Sequence, residues 1–217
     1  MNDVEVKAWR LECQAVRLIK KMEKRGFKAF YAPTGPEAKK MVLDLVPSTG
    51  VVALLGSQSL NQIGVYGELR ASGRELVDHA VQTKGLSPEE AHAYRKRVFS
   101  AETMLTSANA LDEEGRIYNI DGTGNRVAAM IYGPDKVIVA ASLNKVAATP
   151  EEAWFRARQV ASPMNNKRLE FNNPCVKSGH CHDCQLDSSI CCYFTIIDRS
   201  RPAGRINVVL IGEDFGY

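Results

Sequence analysis

The chain has 217 residues, 45% of them hydrophobic and 24% charged, and carries a formal net charge of +3. That composition is ordinary for a globular protein long enough to bury a substantial core. The basic residues are scattered along helical faces, so no nucleic-acid partner is expected.

The N-terminal residues show no basic region followed by an apolar stretch, and the longest apolar runs, 51–55 and 137–141, are only strand-length. A cytoplasmic chain with no membrane segment is therefore expected. Val4, Ala8, Leu11, Ala15, Leu18 and Met22 alternate at steps of four and three, which lines one face of a helix over 4–25. The spacing predicts a helix that docks on the body, since three heptads are marginal for a coiled coil. Gly26 ends it, and 27–31 reads as a strand.

Thr34 with Glu37, Ser87 with Glu90 and Thr149 with Glu152 each place a hydroxyl three residues before a glutamate, the pattern of a helix start. Between these starts lie short apolar runs at 51–55, 75–80, 104–108, 117–120 and 137–141, and a last one at 206–211. Their β-branched content and buried look predict a mostly parallel sheet with helices on both faces, in a single α/β domain over 1–217. Residues 163–192, rich in Asn, Ser, Cys and His, break the rhythm and read as an excursion.

Two segments suit an anionic ligand. After the run at 51–55 come Gly56, Ser57, Gln58 and Ser59, a strand-turn-helix that presents backbone N–H groups and hydroxyls to phosphate or carboxylate. The segment lacks the lysine of a phosphate-binding loop and the spaced glycines of a dinucleotide site, and a plain helix N-cap is the competing reading. After 117–120 come Asp121, Gly122, Thr123, Gly124, Asn125 and Arg126, where the glycines allow close backbone approach and the arginine could clamp an anion. The competing reading has Asn125 and Arg126 tying the loop to Asp121. Asn109 follows another strand, and Asn144 and Lys145, just past 137–141, could face the same crevice; a solvated turn is the competing reading for these two and the favoured one for Lys145.

Cysteines crowd the excursion. Cys175, Cys181, Cys184 and Cys191, with Cys192 as an alternate for Cys191, offer four thiols to an iron-sulfur cluster or to zinc, or else remain free or pair as disulfides. Their spacing matches neither ferredoxin pattern nor a zinc ribbon. His180 and His182 read as loop surface, Cys13 as core, and His79 and His92 as structural.

The segments Gly56-Ser57-Gln58-Ser59-Leu60, Ser107-Ala108-Asn109-Ala110-Leu111, Asn119 to Val127, Gly133 to Val139, Asn144-Lys145-Val146 and the cysteine-rich tail resemble the LUD (lactate-utilisation) domain proteins. The resemblance implies the three-layer, Rossmann-like fold of ribose-5-phosphate isomerase, glucosamine-6-phosphate deaminase and class I coenzyme A transferases. It also implies a role in an iron-sulfur-linked system that oxidises L-lactate or a related 2-hydroxy acid, with a small anionic metabolite as ligand. A partner iron-sulfur protein is expected on the same ground, and the cluster gains over zinc; a homo-oligomer is a further expectation that no motif in the sequence carries. The transferases' glutamate motif is missing, and Glu68 is a poor match for it. Action alone on a phosphosugar or coenzyme A thioester is the alternative, with a redox-sensing module as a third.

Overall fold

The computed structural model describes residues 2–217. Helix α1 (Asp3–Lys24) starts at Asn2, whose side chain accepts from the Glu5 N–H at 3.0 Å while Glu5 returns a bond to the Asn2 N–H at 2.8 Å. Ala15, Leu18 and Met22 are fully buried, but Val4 is 75% exposed and Ala8 also faces solvent. The docking face thus covers only the second half of the helix. Twenty-two residues span about 33 Å, more than the short β1 strand beside it can cover.

Strand β1 (Lys28–Ala32) leads through α2 (Gly35–Leu45) to β2 (Val52–Leu54), then α3 (Gln58–Gln62), α4 (Val65–Ala71) and β3 (Leu76–Asp78). Helices α5 (His79–Gln82) and α6 (Pro88–Lys96) precede β4 (Thr103–Thr106). The hydroxyls of Thr34, Ser87 and Thr149 cap helices as their spacing predicts. The reciprocal bond forms only at Ser87; Glu152 reaches one residue further back, to the Ala148 N–H at 2.9 Å.

The chain continues through β5 (Ala110–Asp112), β6 (Ile117–Asp121), α7 (Asn125–Ile131), β7 (Lys136–Ser142) and β8 (Val146–Ala147). It closes with α8 (Pro150–Arg156), α9 (Ser162–Arg168), α10 (Pro174–Ser178), β9 (Tyr193–Ile197) and β10 (Ile206–Ile211). Six strands form one parallel sheet in the order β1-β10-β7-β4-β2-β3. Period-two burial divides it: Val137, Val139 and Ala141 pack with α1 and α7, while Ile138 and Ala140 pack with α2 and α4. Helices on both faces give the three layers.

Residues 117–121 do not join this sheet. They form β6 of a second sheet, β8-β5-β6-β9, in which β5–β6 and β6–β9 are antiparallel. A turn at Gly115, too short for a crossover, sends β6 back along β5 as a hairpin. The helix that begins at Pro150 also runs further than the sequence pattern marks, through Arg168, with a π turn over Ala157–Ala161. Pro163 explains the loosening, because it lacks the N–H that would bond Gln159 and its ring crowds that carbonyl. Ser162 Oγ instead donates to the Ala157 carbonyl at 2.9 Å. Among the described residues, no helix is long and apolar enough to cross a membrane.

Candidate functional site

From β2 the chain runs outward to β3 and then returns past β2 to β4, so the order reverses between β2 and β4. Open parallel sheets take ligands at the strand C-termini beside such a reversal. Here the exits of four strands open on one crevice of about 380 Å³, with Gly56 and Ser57 after β2, His79 after β3, Ser107 and Ala108 after β4, and Lys145 after β7.

Most sequence-predicted ligand residues meet there: Gly56, Ser57, Gln58, Asn109, Asp121, Gly122, Thr123, Asn125, Arg126 and Lys145 line the crevice. Ser59 lies behind Lys145 and bonds to it, and Gly124, with φ of 79°, makes the turn that starts α7. Asn144 is exposed and outside the lining. Its carbonyl accepts from Arg156 Nε at 3.2 Å.

Ser57 is engaged as the cap of α3, its hydroxyl accepting from the Leu60 N–H at 3.1 Å. Asp121 Oδ1 accepts from the N–H groups of Thr123 at 3.2 Å and Gly124 at 2.9 Å. Its Oδ2 accepts from Arg126 Nε at 3.2 Å. Arg126 then donates through Nη1 to Asn119 Oδ1 at 2.7 Å and the Ser107 carbonyl at 3.2 Å, and through Nη2 to the Ile120 carbonyl at 2.9 Å and Asn109 Oδ1 at 3.3 Å. Five bonds match the five N–H groups of a guanidinium. Arg126 therefore has no N–H left to clamp a ligand: as the competing reading had it, it ties the loop to Asp121, and it holds β4, β6 and α7 together.

Lys145 differs. Its side chain is buried, the residue being 2% exposed, and Nζ donates to Ser59 Oγ at 3.0 Å, Ser107 Oγ at 3.2 Å and the Ala108 carbonyl at 3.4 Å. All three acceptors are neutral, and no carboxylate pairs with it among the described residues. Burial above all, then the charges of Arg156 and Arg126, bring its pKa down to about 7. Backbone at Gly216 closes over the amine: a Cβ on that residue would come within 2.5 Å of Ser59 Oγ and 2.9 Å of Lys145 Nζ.

Sequence reasoning missed His79, Asn165, Arg168, Phe171 and Ile190, all of which line the crevice. Burial, helped by Arg95, lowers the His79 pKa and favours the neutral ring. Its place directly after β3 was the available signal. Arg168 donates through Nε at 3.1 Å and Nη2 at 2.7 Å to Asn165 Oδ1, at the exposed end of α9. The crevice lining thus holds three basic side chains, Lys145, Arg126 and Arg168, and one acidic side chain, Asp121. Glu68 is elsewhere, an exposed residue of α4 paired with Lys39 at 2.8 Å.

A second cavity, of about 210 Å³, is lined by Cys175, Cys181, Cys184 and Cys191 together with Arg158, Ser162, Asn166 and Phe194. Cys192 is exposed and turned away, its thiol donating to the Ser189 carbonyl at 3.3 Å. All cysteines are free; Cys13 is half-buried on α1. Burial, reinforced by the other thiols of the group, pushes the Cys175 and Cys191 thiols up. The loop is held by Asn173, whose amide donates to Asn166 Oδ1 at 2.7 Å and the Ser188 carbonyl at 3.0 Å. Among the described residues, no three His, Cys, Asp or Glu side chains are arranged to hold one metal ion. His180 and His182 stack with ring centroids 4.3 Å apart on the exposed loop.

Helix α9 separates the two cavities. Asn165 faces the crevice and Ser162 and Asn166 face the thiols, with Ile190 and Cys191 divided in the same way.

No curated protein sequence matches the chain. Among solved structures it is similar to a DUF162 family protein from Deinococcus radiodurans, at 13% identity over 94% of this chain and 98% of that one, with a TM-score of 0.47. It is also similar to ribose 5-phosphate isomerase A from Neisseria gonorrhoeae, at 18% identity, 54% and 53% coverage and a TM-score of 0.34. The enzyme of the same name from Methanocaldococcus jannaschii gives 17% identity, 54% and 55% coverage and a TM-score of 0.35. The chain thus spans about half the length of each isomerase. The LUD domain family model matches residues 15–211, nearly the whole chain, and the protein belongs to the LUD domain family.

Proposed function

We propose that this protein binds a small anionic metabolite, a carboxylate or phosphate ester, in the strand-end crevice, and serves an iron-sulfur-linked system that oxidises L-lactate or a related 2-hydroxy acid. The observation that carries the anion reading is Lys145, a buried cation with only neutral partners at the reversal of strand order. A buried charge without a counter-ion is costly, and an entering anion relieves that cost. Arg126 and Arg168 add to the positive field.

For the second half of the reading, soft thiolates suit an iron-sulfur cluster, and Cys175, Cys181, Cys184 and Cys191 surround one cavity instead of converging on a point. These four would hold the cluster, which supplies one-electron chemistry when bound. The chain's own contribution is the wall, α9, between that cavity and the crevice. The link to lactate comes from the family.

Calorimetric titration with L-lactate, pyruvate and inorganic phosphate tests the first half, with binding expected in the wild type and lost in Lys145→Met. Unchanged affinity in that variant would sink it. Iron and sulfide in protein purified without oxygen test the second half; zinc in their place would make the cysteine site structural. Turnover of a phosphosugar by the protein alone would favour the isomerase-like alternative.

A further inference from the structure

We propose that the Lys145 amine is a nucleophile, forming an imine with a small carbonyl compound that carries an anionic group and binds in the crevice. This inference rests on the anion-binding reading above and adds a reaction to it.

Three features of the site carry it. First, Lys145 lines the crevice yet has no carboxylate to hold it as an ammonium, whereas Lys21, Lys39 and Lys40 are each paired with an acid. Second, two hydroxyls flank the amine, Ser59 Oγ at 3.0 Å and Ser107 Oγ at 3.2 Å, themselves 3.5 Å apart. Each can donate or accept by rotating its proton. Third, Arg168, exposed at the end of α9, lines the same crevice and can receive the anionic end of a ligand, while Arg126 adds its charge from the wall with its own N–H groups committed to the protein. A desolvated lysine beside other cations is the environment that activates amines toward carbonyls, and the lowered pKa agrees with it.

In the reaction the Nζ lone pair attacks the carbonyl carbon, a C–N bond forms, and the C=O π electrons move to oxygen. That oxygen takes a proton as nitrogen loses one, a transfer the Ser59 and Ser107 hydroxyls can relay, giving a carbinolamine. Loss of water, made from the hydroxyl and the proton remaining on nitrogen, leaves C=N. The sum is amine plus carbonyl giving imine plus water, with no oxidant or reductant. The longest amine contact, 3.4 Å to the Ala108 carbonyl, is the weakest of the three to give up.

The test uses the full chain with pyruvate in one arm and dihydroxyacetone phosphate in another, each with sodium cyanoborohydride. This reductant delivers hydride to an imine carbon and leaves a stable secondary amine. Intact-mass measurement and peptide mapping are expected to place one reduced adduct on Lys145, roughly tenfold or more above any surface lysine. Lys145→Arg, shown folded by thermal unfolding, is expected to lose it. An adduct in one arm alone identifies the anion as carboxylate or phosphate. Calorimetric binding of either compound without a Lys145 adduct overturns the imine and leaves the anion site standing; no binding and no adduct in either arm overturn both.

Discussion

Gly122 and Ile190 meet so closely that a Cβ built on the glycine would lie 3.1 Å from the Ile190 Cα. The Cys192 N–H also donates to the Asp121 carbonyl at 3.1 Å. The thiol-bearing excursion is therefore pinned to the Asp121–Gly122 turn, and Ile190 is part of the crevice wall.

That contact makes Gly122→Val a probe of coupling between the two cavities. Three extra carbons against Ile190 must displace the excursion or the turn, and overpacking of this kind costs about 1 to 3 kcal/mol. Urea unfolding should show a lower midpoint, and the thiols should react faster with a disulfide reagent. Wild-type thiol rates in the variant would mean the contact does not hold the excursion in place.

Arg126 presents a different dependence. Truncation to alanine leaves Asp121 Oδ2 and Oδ1 of the fully buried Asn119 without a donor, while Asn109 Oδ1 keeps the Ile120 N–H at 2.9 Å. Removing one partner of such a buried network costs about 3 to 5 kcal/mol. Chemical denaturation of Arg126→Ala should show that loss, and Arg126→Lys should recover only part of it because an ammonium cannot match the fork. A loss below about 1 kcal/mol would contradict the hub described above.

Lys145 gives two pH dependences of opposite sign. Its folded pKa is lowered from 10.5 to about 7 by burial, Arg156 and Arg126, so between these values the unfolded chain holds more protons than the folded one. Stability attributable to this group therefore rises with pH across that window and is least below it. Wild type should gain on the order of 2 kcal/mol over Lys145→Met between about pH 7 and 9. Anion affinity should fall over the same range as the cation is lost. Parallel pH profiles of stability for wild type and variant would show that Lys145 does not titrate there.

Cysteine replacement separates the liners of the thiol cavity from their neighbours. Cys175→Ser and Cys191→Ser should each lower bound iron or zinc severalfold in protein purified without oxygen, since both thiols face that cavity. Cys192→Ser and Cys13→Ser should leave the metal content unchanged. Elemental analysis reads all four, and equal loss in Cys192→Ser would mean that the site uses a different thiol set.

Local signals were strongest where a single turn of chain decides the outcome. The hydroxyl-glutamate spacings at Thr34, Ser87 and Thr149 mark real helix starts, because a cap is a contact over three residues. The run at 117–120 was legible as a strand but not as a member of a second sheet, since pairing partners are set by the distant Tyr193–Ile197 segment. The face of α1 was overread toward its start because periodicity states which side of a helix is apolar, not how far the body extends beneath it.

By itself the sequence determined the six strands of the parallel sheet, the capped helix starts and the four thiols, together with a list of strand-end polar residues. All of these follow from short-range sterics, capping and side-chain chemistry. Only the tertiary structure decided their roles: it commits Arg126 to five protein acceptors, leaves Lys145 with neutral ones and sets Cys192 outside the thiol cavity. The reason is that a side chain's free donors and its charge state depend on which distant backbone and side-chain atoms surround it, and those are fixed by strand order rather than by neighbours in the chain.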